Sequence, residues 1–146
     1  MTSTKLSDEL LFVQTQSLMF NVNSVQGLEF RTYNNTLIIV YKNGHYLSKS
    51  SSQEEFIKIS EQFMSLIELS ENLNQTDYVV FMNVIFTVKR LVSIEYRGPS
   101  QGFRHLISFK DGQYLHPNMD LENFKILYQK TLDAINTNVI EDKKGI

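Results

Sequence analysis

Tyr41-Lys42-Asn43-Gly44-His45-Tyr46-Leu47 and Phe109-Lys110-Asp111-Gly112-Gln113-Tyr114-Leu115 are the stretches from which the rest of this chain can be read. The second heptad lies 68 residues after the first and keeps Lys, Gly, Tyr and Leu in place. The same shift carries Glu54, Phe56 and Ile67 onto Glu122, Phe124 and Ile135. Upstream, a shift of 66 lays Phe20, Val22, Glu29 and Arg31 on Phe86, Val88, Glu95 and Arg97. Over residues 18–31 and 37–67, 12 of 45 aligned pairs are identical, where unrelated segments would share about three. A repeat of this kind constrains the whole fold. The two-residue change of shift falls between strands, where a loop absorbs it.

Working outward, each copy opens with an extended segment, residues 12–22 and 78–88. A second strand runs over Leu28 to Tyr33 and Ile94 to Arg97. A third runs over Thr36 to Lys42 and Arg104 to Lys110. Asn43-Gly44 and Asp111-Gly112 suit two-residue type I′ hairpins, which need positive φ at both positions. That register sets Tyr41 opposite Tyr46 and Phe109 opposite Tyr114. Ser52 with Glu55 forms a capping box. Phe56, Ile59, Phe63, Leu66 and Ile67 then follow at helical spacing. A second helix begins near Asn118 to Asp120 and places Phe124, Leu127, Ala134 and Ile135 similarly. The predicted fold class is α+β: two tandem ββββα repeats forming an intramolecular pseudo-dimer of antiparallel sheets with two amphipathic helices. The 146 residues make one domain, with repeat one at 12–69, repeat two at 78–137 and a flexible tail at 138–146. Strands of the two copies can pair with each other, which removes exposed edges.

Composition narrows the function. Without cysteine there is no disulfide, thiolate catalysis or Cys-based zinc site. Met1 to Leu11 carries Asp8 and Glu9 and has no apolar signal core, and the longest apolar runs are far too short for a membrane span. The expectation is a cytoplasmic protein with no membrane contact. His45, His105 and His116 show no metal-ligand spacing, and no nucleophile elbow or phosphate loop occurs. We therefore expect no enzyme, metal or cofactor. Glu29 and Glu95, each two residues before an arginine, read as solvated strand-face ion pairs.

Charge is unevenly distributed. Net charge is −2, yet residues 12–50 carry +2, residues 78–118 carry +3 and residues 51–77 carry −5. Basic residues interleaved with aromatics on a sheet suit single-stranded nucleic acid, whose bases stack on rings and whose phosphates need cations. The candidate nucleic-acid-binding residues are Arg31, Tyr33, Lys42, Lys89, Arg90, Arg97, Phe103, Arg104 and Lys110. Tyr41, Tyr46, Phe109 and Tyr114 are further candidate stacking residues; the alternative, which the sequence favours, is that they face the helix as core. The two strand–Lys-(Asn/Asp)-Gly–Tyr-Leu–helix blocks, ending in Phe56 and Phe124, resemble those of PUR-repeat and Whirly-like single-strand-binding proteins over residues 12–137. Asn23-Ser24-Val25-Gln26 and Lys89-Arg90 stand where that resemblance implies an arginine-rich segment. It implies single-stranded DNA or RNA as partner. The alternative is a protein-interaction or assembly module acting through sheet edges or the acidic helix. The sequence leaves the oligomeric state open.

Overall fold

Ser52 starts the first helix as its spacing predicts, its hydroxyl accepting the Glu55 amide at 3.0 Å. The computed structural model describes residues 5–97 and 106–144. Its strands are β1 (Phe12–Gln14), β2 (Met19–Asn21), β3 (Val25–Arg31), β4 (Thr36–Tyr41), β5 (Tyr46–Ser50), β6 (Tyr78–Phe81), β7 (Val84–Thr87), β8 (Leu91–Glu95), β9 (Leu106–Phe109) and β10 (Tyr114–Leu115). Helix α1 spans Gln53–Leu69 and α2 spans Leu121–Lys144. The fold is α+β. The order 3-10 turn, two strands, 3-10 turn, three strands, helix occurs twice along the chain.

Each half thus has five strands rather than four, because the opening segments bend back on themselves. In the first, the Thr15 amide donates to Leu18 O at 2.8 Å, closing a turn that joins β1 to β2. In the second, Met82 takes a positive φ of 51° between β6 and β7, a conformation rare for a side chain of its size. Neither turn carries glycine or proline, so nothing in the sequence marks them.

The three-strand part of each half is an antiparallel meander, β3-β4-β5 and β8-β9-β10. The β6-β7 hairpin then joins β3 edge to edge, giving a five-stranded sheet in the order β5-β4-β3-β7-β6. The two halves therefore share one hydrogen-bonded sheet, with Phe30 N donating to Asn83 O at 2.9 Å across the seam. One face of this sheet packs on α1 through Leu28, Phe30, Leu37, Ile39, Phe56, Ile59 and Phe63. The other face sets Ile38, Val40, Val84 and Phe86 against Ile107, Phe109, Leu115 and Leu127. A sheet covered on both faces has near-continuous apolar strands, as Leu37-Ile38-Ile39-Val40 shows. Gly27 is required in β3, since a Cβ there would meet Leu115 Cδ1 at 2.9 Å and Phe109 Cζ at 3.0 Å.

The glycine hairpins differ from expectation by one residue. Tyr41 N bonds His45 O and Phe109 N bonds Gln113 O, each at 2.9 Å. Tyr46 therefore lies opposite Val40, and Tyr114 opposite Ser108. Within these two turns only Gly44 and Gly112 have positive φ, 88° and 86°; Asn43 and Asp111 do not. Their side chains accept the His45 and Gln113 amides at 3.0 and 3.1 Å, an Asx turn. The loops are three-residue turns ending in a glycine bulge, and a one-residue slip reverses the face of every following side chain. The expected Tyr41–Tyr46 and Phe109–Tyr114 pairs do not form. Tyr41 and Phe109 pack inward, while Tyr46 and Tyr114 face outward.

Residues 138–144, expected as tail, continue α2. No proline or glycine interrupts them before Gly145, and Asn138 Nδ2 bonds Ala134 O at 2.8 Å.

Candidate nucleic-acid interface

The two glycine turns meet at one end of the sheet, and the cations they carry meet with them. Gln113, one residue past the second turn, donates its side-chain amide to Gly44 O in the first. Gln26, buried in β3, donates to Tyr41 O at 3.0 Å and to the Asp111 carboxylate at 2.9 and 3.1 Å. Its carbonyl accepts Arg90 Nε at 3.2 Å. The backbone repeats the arrangement, with Lys42 N donating to Ser24 O at 2.8 Å and Lys110 N to Arg90 O at 2.9 Å. Both acceptors belong to the 3-10 turns Val22–Ser24 and Val88–Arg90. Lys42, Lys89, Arg90 and Lys110, drawn from three separate segments, thus share one end of the molecule.

The anions present answer only part of that charge. Asp77 pairs with Lys89 at 3.4 Å and Asp111 with Arg90 at 3.9 Å. Lys42 Nζ reaches the neutral Asn23 Oδ1 at 3.4 Å. Burial, and after it the Arg90 guanidinium, push the Lys42 ammonium below the usual lysine range. Asp8 pulls it back, and Lys89 adds to the fall.

A cleft of about 290 Å³ opens between β5 and β10 behind the joined turns, lined by Tyr46, Ser48, Gln113, Tyr114, His116 and Arg31. Tyr46 is 64% and Tyr114 49% exposed. The Tyr114 ring meets that of His116 edge-on at 4.5 Å. Of the two placements the sequence left open for these tyrosines, core or open face, the structure shows the open face. The signal for them was the Asx-capable residue in each turn, which moves Tyr46 and Tyr114 to the open face.

The remaining candidates lie toward the other end of the strands. Arg31 ends β3 at the far side of the cleft, and Arg97 follows the end of β8, both away from the glycine turns. Arg31 Nε bonds Glu29 Oε2 at 3.2 Å, and Arg97 pairs with Glu95. Tyr33 is exposed beside a second, smaller pocket of about 140 Å³ with Arg31, Asn83 and Pro117. Phe103 and Arg104 lie outside the described residues, as does His105. The expected cations therefore form no single sheet surface; they divide between the two ends of the strands. Glu29 is a second correction. It is 1% exposed rather than solvated, because the chain from β10 through Pro117 to Met119 lies against it, and it accepts His116 N at 3.0 Å. Burial raises its carboxyl above the usual range, against the opposing effects of Arg31 and His116.

Among the described residues no group of His, Asp and Glu could hold a metal ion, and no helix is long and apolar enough to cross a membrane. No family model matches the chain, and no curated protein matches it. Among solved structures, a LytTr DNA-binding domain from Bacillus cereus aligns over 83% of this chain and 94% of that one, at 14% identity and a TM-score of 0.44. Likeness at that level carries neither fold nor function to this chain.

Proposed function

We propose that this chain binds single-stranded nucleic acid along a track from the Lys42–Lys89–Arg90–Lys110 end into the Tyr46–Tyr114 cleft. The observation that carries this reading is the convergence of Lys42, Lys89, Arg90 and Lys110, like charges that repel one another, at the end of the sheet where the two glycine turns meet, beside the exposed Tyr46 and Tyr114. Backbone phosphates docked there would relieve that repulsion. The exposed tyrosines one turn away offer π-faces to successive bases, worth about 1–3 kcal/mol per stacked base.

Fluorescence anisotropy with labelled single-stranded DNA and RNA at several salt concentrations tests it. Each phosphate contact on a single strand contributes a slope of about −0.7 in log K against log salt, so four cations give about −3. Lys42→Glu with Lys110→Glu should abolish binding while circular dichroism stays unchanged. Binding that is flat with salt, or that survives both substitutions, would rule the track out.

A further inference from the structure

The two halves follow the same element order but differ in what covers them, and two surfaces carry the comparison. In the second half, the outer face of the β6-β7 hairpin is covered by the first half: Tyr78 is 8% and Ile85 1% exposed. Their equivalents on the β1-β2 hairpin, at a shift of 66, are Phe12 and Met19, which are 39% and 62% exposed. Conversely, α1 residue Ile67 is 1% exposed in the cluster that Tyr78 and Ile85 complete, whereas its α2 equivalent Ile135 is 37% exposed. The strands show the same pattern. Among the described residues, β3 pairs on both edges, with β4 and β7, but β8 pairs only with β9, and β7 pairs on both edges, but β2 only with β1.

From these two complementary ends we infer that the chain associates head-to-tail with a second copy of itself. The β1-β2 hairpin of one molecule adds to the free edge of β8 in the next, as β7 adds to β3 within the chain. The internal seam supplies the register. Leu28 faces Ile85 and Gly27 faces Phe86, so Ile94 would face Met19 and Ser93 would face Phe20. The bulge at Val25/Gly27 recurs at Leu91/Ser93, which keeps the two edges alike in shape. On β2, Thr15 N–Leu18 O and Val22 N–Leu11 O bonds turn alternate residues toward β1. Met19 and Asn21 therefore present their backbone groups outward. Neither β2 nor β8 carries lysine or proline, the usual protection of a bare edge.

The seam is heterologous, using different surfaces on the two partners, so it propagates rather than closing into a twofold dimer. Ser93 and Ser108 replace Gly27 and Val40 at the matching positions. No covalent link holds the copies together as Ser70 to Asp77 holds the halves, and association is accordingly concentration-dependent.

Sedimentation velocity of the protein without nucleic acid tests this, using Met19→Glu to block the hairpin end and Ile135→Glu to block the helix end. Both positions are exposed, and Phe12→Lys and Leu132→Lys serve should either variant lose its melting transition. Wild type should gain mass steadily with concentration. Each variant alone should remain monomeric at concentrations where wild type associates. An equimolar mixture should form a one-to-one pair and nothing larger, since each variant keeps the end the other lacks. A wild type that stays monomeric to its solubility limit, a single variant that still dimerises, or a mixture that stays monomeric would overturn the inference.

Discussion

Lys42 and Glu29 are both held in environments that disfavour their charge, and they differ in what that cost is for. The Lys42 ammonium is pushed below its usual range by burial and by Arg90. A lowered lysine value means that stability is present above the unfolded value and is lost as pH falls through the folded one. At neutral pH the charged Lys42 therefore costs stability. Lys42→Met should raise the melting temperature by the equivalent of about 0.5 kcal/mol, the low end for relieving surface charge, and should weaken oligonucleotide binding; a thermal melt and a titration on one sample read both. Glu29 is the reverse case. Its raised carboxyl value makes stability greatest below the ordinary value of 4.5 and lost as pH rises through the folded value. Glu29→Gln should flatten that fall, measured by urea unfolding between mild acid and neutrality. The Glu29–Arg31 pairing was legible as a spacing of two along a strand. Its burial was not, because what covers it is Pro117-flanking chain from the other half, 87 residues away at His116.

At the scale of elements, the α1 stripe and its Ser52 cap follow from local rules, with Phe56, Ile59, Phe63 and Ile67 buried, but the Glu55 carboxylate accepts the Ser51 hydroxyl rather than closing a capping box on Ser52. The glycine turns were legible as turns but not in length, since Asn-Gly serves both a two-residue loop and a three-residue loop ending in a bulge. One hydrogen bond from the Asn43 side chain selects between them. Gly44→Ala should cost about 1 kcal/mol by forcing a Cβ into the left-handed region at φ 88°, detectable by denaturant unfolding. The β1-β2 and β6-β7 hairpins were illegible for a related reason: Met82 takes a glycine-like φ that its side chain does not advertise. The helices also diverge. Phe56 is 2% exposed and stacks on Phe30 at 5.9 Å, so Phe56→Ala should cost about 3–5 kcal/mol. Phe124 is only partly buried against Tyr96 and Tyr128. Phe124→Ala should cost about 1–2 kcal/mol, and equal losses in two melts would contradict this asymmetry.

For the molecule as a whole, the pairing of strands across halves that the sequence suggested takes a specific form, one shared five-stranded sheet. That seam has a consequence for a chain cut in two. The polar joint Ser70 to Asp77 carries the only covalent link between the halves, yet β3-β7 pairing, the Gln26–Asp111 and Glu29–His116 bonds and the contact of Gly27 with Leu115 all cross independently of it. A protease nick introduced at Leu73-Asn74 should leave two fragments that co-elute and melt together. Each fragment expressed alone should expose half of a buried sheet and aggregate, and mixing the two during refolding should restore the native circular dichroism spectrum.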